Sequence, residues 1–461
     1  MEETIHILHT NDIHSHLANW PRIKNFLLTK KQQYLQQGDV VLLFDDGDMI
    51  DRVHPLTEAT MGQANIKLMN TIGYTAATIG NNEGIGLSHH NLMHLYDQAN
   101  FPIILANLFD KKTQQRPVFA QPYRIITTDT GTRIALIGMT APYPRAYQPN
   151  GWQTTDVDQT LPSLLMTLQG KYDLLIMLSH LGIDDDRYIA QHYPQINLII
   201  GGHTHHLFRN GEMVNHTLLT AAEKYGHYVG EVTITMNNHQ INTMRAQTHI
   251  ITALPVVANE QALTTNWQQQ GQQLLAQHIV AKLPYSLDMD WHAEHPMINT
   301  ALAALRWYGH SDAAILNSGL FLRSLSVGNV TYADIHAQLP HAMHLINVKL
   351  RGIDLWRLVM EMEKNRRFLR RYPMKGMGFR GKIFGEIIYS GLRVNMDTKT
   401  VYWHEQPLDM SCIYQFTTVD NFAFIPYFPT IEIMSEITIL FPDFLREVVA
   451  QYLTQQYPPL S

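Results

Sequence analysis

Asp12 and His14 stand two residues apart in Ile7-Leu8-His9-Thr10-Asn11-Asp12-Ile13-His14-Ser15-His16, directly after an apolar run. A carboxylate and an imidazole delivered together are half of a metal site. If residues 4–8 form a buried strand, alternation along the extended backbone turns both side chains to one side, just past its C-terminal end. Four later stretches also place polar residues after apolar ones. They are Phe44-Asp45-Asp46-Gly47-Asp48, Thr78-Ile79-Gly80-Asn81-Asn82-Glu83, Leu178-Ser179-His180 and Ile200-Gly201-Gly202-His203-Thr204-His205. Gly47 permits a tight turn, and Asp48 can offer two oxygens to two cations. Two carboxylates, one amide and four imidazoles form an N/O donor set for divalent Mn, Zn, Co, Fe or Mg.

The elements that must position these residues follow an α/β pattern. Short β-branched runs at 39–44, 102–105, 133–137, 173–178 and 197–200 look like strands buried on both faces, with amphipathic stretches such as 21–36 and 57–71 between them. Residues 228–251 alternate cleanly and suggest edge strands. A Gln- and Ala-rich tract at 258–282 reads as a connecting helix, and after Pro284 a second unit begins with a helix over 297–308. The expected domains are 1–255, a linker helix at 256–283, and 284–461.

The order Asp-x-His, Gly-Asp, Gly-Asn-x-Glu, Ser-His, Gly-His-Thr-His resembles the calcineurin-like metallophosphoesterases, and within them the 5′-nucleotidase and UDP-sugar hydrolase branch. Ala222-Glu223-Lys224-Tyr225-Gly226-His227-Tyr228-Val229-Gly230 is similar to that branch's segment after the last ligands. Asn317-Ser318-Gly319-Leu320-Phe321-Leu322-Arg323 is similar to a degraded Asn-Gly-Gly-Gly-Ile-Arg motif. The resemblance implies a four-layer α/β/β/α metallophosphoesterase domain followed by an α+β substrate-binding domain. It implies two divalent metal ions, one held by Asp12, His14 and His205 and the other by Asn81, His180 and His203, with Asp48 bridging. Such a pair activates water and clamps phosphoryl oxygens for in-line attack. His9, His16 and His206 match no ligand position.

The sequence also departs from that pattern. Asn82 and Ile85 stand where the family carries the His and Asp of a catalytic dyad, as in a cytoplasmic bacterial sub-branch with Gly-Asn-Asn-Glu. An amide can donate a hydrogen bond to a phosphoryl oxygen but cannot protonate a leaving alkoxide. His54 and Arg52 in the following loop are the substitute candidates. In the second domain Phe422 and Phe384 fall near the positions of two base-stacking rings, while Asn317 and Arg323 remain from the substrate motif. The expected substrate is a small phosphorylated molecule, a nucleotide or nucleotide-sugar. The same-chemistry alternatives are a cyclic-nucleotide or dinucleotide phosphodiesterase and a non-nucleotide phosphatase. A catalytically weakened ligand-binding protein is the alternative of another class.

The composition sets the remaining bounds. A net charge of −6 disfavours a nucleic-acid-binding surface. The one basic tract, 364–382, has eight Lys or Arg among nineteen residues and could line a cleft for a polyanionic substrate. A single cysteine, Cys412, excludes an intramolecular disulfide. No apolar stretch approaches the roughly 20 residues of a membrane span, and the Met1-Glu2-Glu3 start lacks the marks of a signal peptide. A cytoplasmic enzyme is expected, with its oligomeric state open.

Overall fold

A computed structural model describes residues 2–376 and 378–459. The expected domain ends at Met1 and Ser461 lie outside them, as does Met377 of the basic tract. The chain forms two compact units, up to Gly271 and from Gln272 onward.

The first unit is built on two sheets. One runs in the order Gln240–Ile250, Tyr228–Asn237, Glu2–Thr10, Val40–Asp45, Ala76–Ala77, Ile103–Ile104, Ala120–Gln121. From Glu2–Thr10 onward its strands are parallel, while the hairpin Tyr228–Asn237/Gln240–Ile250 closes the other edge antiparallel. The second sheet holds Leu174–His180 between Arg133–Thr140 and Leu198–Gly201, all parallel.

Period-2 alternation explains the layering. Ile5, Ile7, Leu42 and Phe44 of the first sheet share a buried cluster with Ile134, Leu136, Ile176, Leu178 and Ile200 of the second. The opposite phase supplies the outer faces. Leu8 and Leu43 pack with Ile23 and Leu27 of the helix Trp20–Gln36. Ala135, Ile137, Leu175 and Met177 pack with Leu161 and Leu164 of the helix Val157–Leu168. The result is the expected α/β/β/α sandwich.

Two expectations on secondary structure are revised. The amphipathic stretch read over 57–71 forms two helices, Pro55–Thr60 and Gln63–Asn70, because Met61 and Gly62 both take positive φ (47° and 84°). The linker helix spans only Glu260–Ala276. Beyond it the β-branched pair Ile279-Val280 enters the strand Ile279–Leu283, which pairs with Gly328–Thr331 in the second unit.

The second unit is α+β. A five-stranded sheet runs in the order Ile387–Ser390, Ala313–Asn317, Ile413–Val419, His344–Arg351, Glu436–Phe444. It shares one core with the helices Pro296–Gly309, Gly352–Leu369 and Leu445–Gln456.

Candidate metal centre

All five motifs leave the C-terminal ends of parallel strands, three from the first sheet and two from the second. Open α/β sheets gather binding groups at such ends. The loops then lock to one another. Asp12 N–H donates to Gly47 O at 3.0 Å and His14 N–H to Asp48 O at 2.8 Å. Glu83, 1% exposed, accepts from the backbone N–H groups of Gly80, Asp48 and Ile50 at 2.8–3.0 Å. The motif spelled out this glutamate, but only the structure shows that it fastens two loops together.

Asp12 and His14 do not converge by strand alternation. Both lie past the strand in the left-handed region, at φ 51° and 49°. Asp48, His203 and His205 share that conformation, at 49°, 66° and 57°. Non-glycine residues held there cost free energy, so five of the expected ligands sit on backbone that the surrounding fold must enforce. Gly80 permits the closest approach. A Cβ at that position would stand 1.9 Å from Asp48 Oδ1 and 2.6 Å from His180 Nε2.

The side chains meet in two overlapping groups, Asp12 with His14 and His205, and Asp12 with Asp48 and His180. His14 Nε2 lies 3.1 Å from His205 Nε2 and 3.6 Å from Asp12 Oδ1. Asp48 Oδ2 lies 3.4 Å from His180 Nε2 in its own group and 3.7 Å from His14 Nε2 in the other, while Asp12 belongs to both. Beside them Asn81 Oδ1 and His203 Nδ1 stand 2.8 Å apart. Donors bound to one ion at about 2.0–2.2 Å are separated by roughly 3–3.5 Å, which these spacings approach.

Charge and satisfaction agree with that fit. His180 Nε2 is buried without a well-formed hydrogen bond, although Asp48 lies close by. Its Nδ1 faces Asp46 O at 2.7 Å, an arrangement that presents Nε2 as the ligand atom. Burial opposes charge on Asp48, but His180 and then His14 hold its carboxyl well below the usual range. Burial also opposes charge on His180, and Asp48, Asp12 and Asp46 together raise its imidazole. The buried carboxylates thus make a negative site that a cation would take over from that proton. Burial holds His203 and His205 down to about 4, leaving them neutral and able to offer lone pairs. The donor set therefore fits two divalent ions. Asp12, His14 and His205 would face one, Asn81, His180 and His203 the other, with Asp48 between.

The remaining site expectations fare differently. Asn82 lies at the centre, but its amide is already engaged. Nδ2 faces His14 Nδ1 at 2.9 Å and donates to Ile50 O at 3.1 Å, while its backbone N–H donates to Asp48 Oδ1 at 2.8 Å. Arg52, expected to bind phosphate, is 5% exposed and forms a bidentate pair with buried Glu58 at 2.8 and 3.0 Å. His54, expected as a substitute acid, is the N-cap of Pro55–Thr60, its Nδ1 accepting from Leu56 N–H at 3.2 Å.

In the second unit Phe384 and Phe422 are both 0% exposed and pack on each other and on Phe428. They are core rings with no face free to stack on a base. Asn317 is also fully buried, donating from Nδ2 to Phe384 O at 2.5 Å. Arg323 is exposed and stands 3.8 Å from Asp334. Within the basic tract Arg366 is paired with Glu363 and Glu386.

His9 is buried against Thr220, His16 stacks on Tyr225 and His206 faces Thr204. One residue was missed. Tyr143, just past the strand Arg133–Thr140, brings Oη to 2.5 Å from His203 Nε2. Nothing in Ala141-Pro142-Tyr143-Pro144 signals this, because its partner is 60 residues away in sequence.

Comparison with known proteins agrees with this geometry. Residues 5–207 match the calcineurin-like phosphoesterase family and residues 278–423 the 5′-nucleotidase C-terminal domain. A Bacillus subtilis protein, the uncharacterized metallophosphoesterase YunD, is 35% identical over 99% of this chain and all of its own length. The Vibrio cholerae 5′-nucleotidase is 24% identical over 76% of this chain and 74% of its own. Among solved structures, the Haemophilus influenzae NAD nucleotidase NadN shares the fold, with a TM-score of 0.70 at 19% identity over 99% of this chain and 97% of its own. The chain belongs to the calcineurin-like phosphoesterases, in the form that carries a 5′-nucleotidase C-terminal domain. It is a metal-dependent phosphoester hydrolase, and members of its family use two divalent ions.

Proposed function

We propose that the protein hydrolyses a phosphate ester or anhydride of a nucleotide or nucleotide-sugar. The observation that carries the substrate class is the match of the second unit to the 5′-nucleotidase C-terminal domain, beside a first unit that gathers a dinuclear donor set. In this reading residues 1–255 are the catalytic domain, 256–283 the connection and 284–461 the substrate-gripping domain.

Asp12, His14, Asp48, Asn81, His180, His203 and His205 hold the ions. When bound, such a pair lowers the pKa of a water and neutralises phosphoryl oxygens. The chain's own residues prepare that chemistry. Asn82 braces His14, Glu83 fixes the Gly80 and Asp48 loops together, and Gly80 keeps the space between Asp48 and His180 clear. Arg52 and His54 shape the loop after Asp48 instead of touching substrate.

Arg323, with its side chain 54% exposed, remains available to a phosphate in the second domain. Base recognition does not rest on Phe384 and Phe422. A bacterial cytoplasm is the proposed setting, compatible with a fold whose one cysteine needs no oxidising compartment. No helix among the described residues is long and apolar enough to cross a membrane.

A panel of mononucleotides, cyclic nucleotides, nucleotide-sugars and non-nucleotide monoesters, run with several divalent metals, tests this reading. Preference for a 5′-nucleotide or nucleotide-sugar is expected. Equal or better turnover of non-nucleotide esters would overturn the substrate class.

A further inference from the structure

Asn82 leaves a gap in the site. It occupies the position of a side chain expected to act on the phosphoryl group, yet its amide is engaged by His14 and Ile50. Tyr143, which lies outside the motifs, brings a further hydrogen-bonding side chain to this site.

It arrives on the right edge. Thr140 is in register with His180 across parallel strands, so the chain after Thr140 leaves on the same end as the metal loops. Tyr143 follows three residues later between Pro142 and Pro144. Proline on both sides narrows its backbone freedom, and its carbonyl accepts from Ala146 and Tyr147 at 2.9 Å. The backbone at Tyr143 is thus restrained while the residue stays 43% exposed.

His203 determines what the phenol can do. Its Nδ1 faces Asn81 Oδ1 at 2.8 Å and its Nε2 faces Tyr143 Oη at 2.5 Å. A neutral imidazole donates from one nitrogen and accepts at the other. With the proton on Nδ1, His203 donates to Asn81, and Tyr143 spends its hydroxyl hydrogen on Nε2. With the proton on Nε2, His203 donates to Tyr143 Oη, and the phenol hydrogen is released.

A proton on Nδ1 would stand between Nδ1 and Asn81 Oδ1, the two atoms that would hold an ion together. Only the Nε2–H tautomer lets both atoms face one ion. An ion held by those two atoms would therefore require the tautomer that leaves the phenol hydrogen of Tyr143 free to donate. A phenol with the ordinary pKa of about 10 keeps its hydrogen at neutral pH.

We propose that Tyr143 is a substrate-contacting residue of this site. Its hydroxyl accepts from His203 Nε2–H and donates to a non-bridging phosphoryl oxygen in the metal-loaded enzyme. It transfers no proton. It supplies a neutral hydrogen bond to charge that grows on the phosphoryl group, a contribution that donors of this kind make most strongly in the transition state. The proposal rests on the hydrolytic reading but not on a nucleotide substrate.

Two measurements on the full chain test it. ¹⁵N-imidazole NMR of the Zn²⁺-loaded protein reads the His203 tautomer without any substrate. Steady-state kinetics on p-nitrophenyl phosphate compare wild type with Tyr143→Phe, with thermal unfolding as the folding control. The expected result is a proton on His203 Nε2 and an Nε2 signal displaced in Tyr143→Phe. The expected kinetic effect is a kcat lowered about 10- to 100-fold, with KM nearly constant and Tm unchanged. A proton on Nδ1 in the Zn²⁺ form, or a kcat within twofold of wild type, would overturn it. Loss of nucleotide turnover alone would count against the substrate class and leave this inference standing.

Discussion

Single side chains separate chemistry from support. Asp48 stands 3.4 Å from His180 in its own ligand group and 3.7 Å from His14 in the other. Asp48→Asn removes the charge that balances both imidazoles, so metal affinity should fall at least about tenfold, a loss that isothermal titration would read. Arg52 offers the contrast. Its guanidinium is spent on Glu58 inside the fold, so Arg52→Ala leaves a buried carboxylate without its partner. It should lower stability by about 3–5 kcal/mol in denaturant unfolding. Asp-x-His, Gly-Asp, Ser-His and Gly-His-Thr-His were legible because each follows an apolar strand. The roles of Arg52, His54 and Tyr143 were not, since a partner across a loop leaves no mark on local sequence. Phe384 and Phe422 show a related gap: composition cannot tell a stacking ring from a core ring until burial is known.

Elements set the precision of the site. Strand ends bring the loops together, but left-handed residues at Asp12, His14, Asp48, His203 and His205 aim the side chains. Periodicity could place the strands; it could not foresee that the first ligand pair would converge through positive φ instead of alternation. Gly80→Ala tests how tightly the loops are packed, because the added methyl would collide with Asp48 and His180. The expected outcome is loss of most metal-dependent turnover, with the far-ultraviolet spectrum retained.

A second element-scale test lies on the far side of the sheet. Glu231 accepts from Tyr34 O–H, from Gln247 at 3.0 Å and from His249 at 2.5 Å, joining helix to hairpin. Burial opposes its charge, but the hydrogen bonds of His249 and Tyr34 hold it down to about 2. A carboxyl lowered on folding contributes its full stability above its ordinary value of 4.5 and loses it as pH falls towards 2. Glu231→Gln should therefore flatten the acid limb of a Tm-versus-pH curve between about 4.5 and 2. An unchanged limb would contradict the assignment.

At the scale of the whole molecule, the fold supplies three buried clusters in the first unit, one core in the second, and one cluster of metal donors recognised among the described residues. The α/β class was legible from doubly buried strands, and the four-layer α/β/β/α order from the family resemblance. The linker was less so, because the Gln- and Ala-rich pattern hides where helix gives way to the strand Ile279–Leu283. Ions that bind the folded chain must also stabilise it. At a hundredfold excess over Kd the gain is about 2.7 kcal/mol per site, visible as a rise in Tm that chelation reverses and Asp48→Asn diminishes.

The most direct test of the account is a metal titration of the chelator-stripped chain, with hydrolysis of p-nitrophenyl phosphate and bound metal measured together. No turnover is expected without metal, and the rate should climb as Mn²⁺, Co²⁺ or Zn²⁺ is restored and level off near two ions per chain. Asp48→Asn should show no recovery. Turnover that survives stripping, or that Asp48→Asn retains in full, would contradict it.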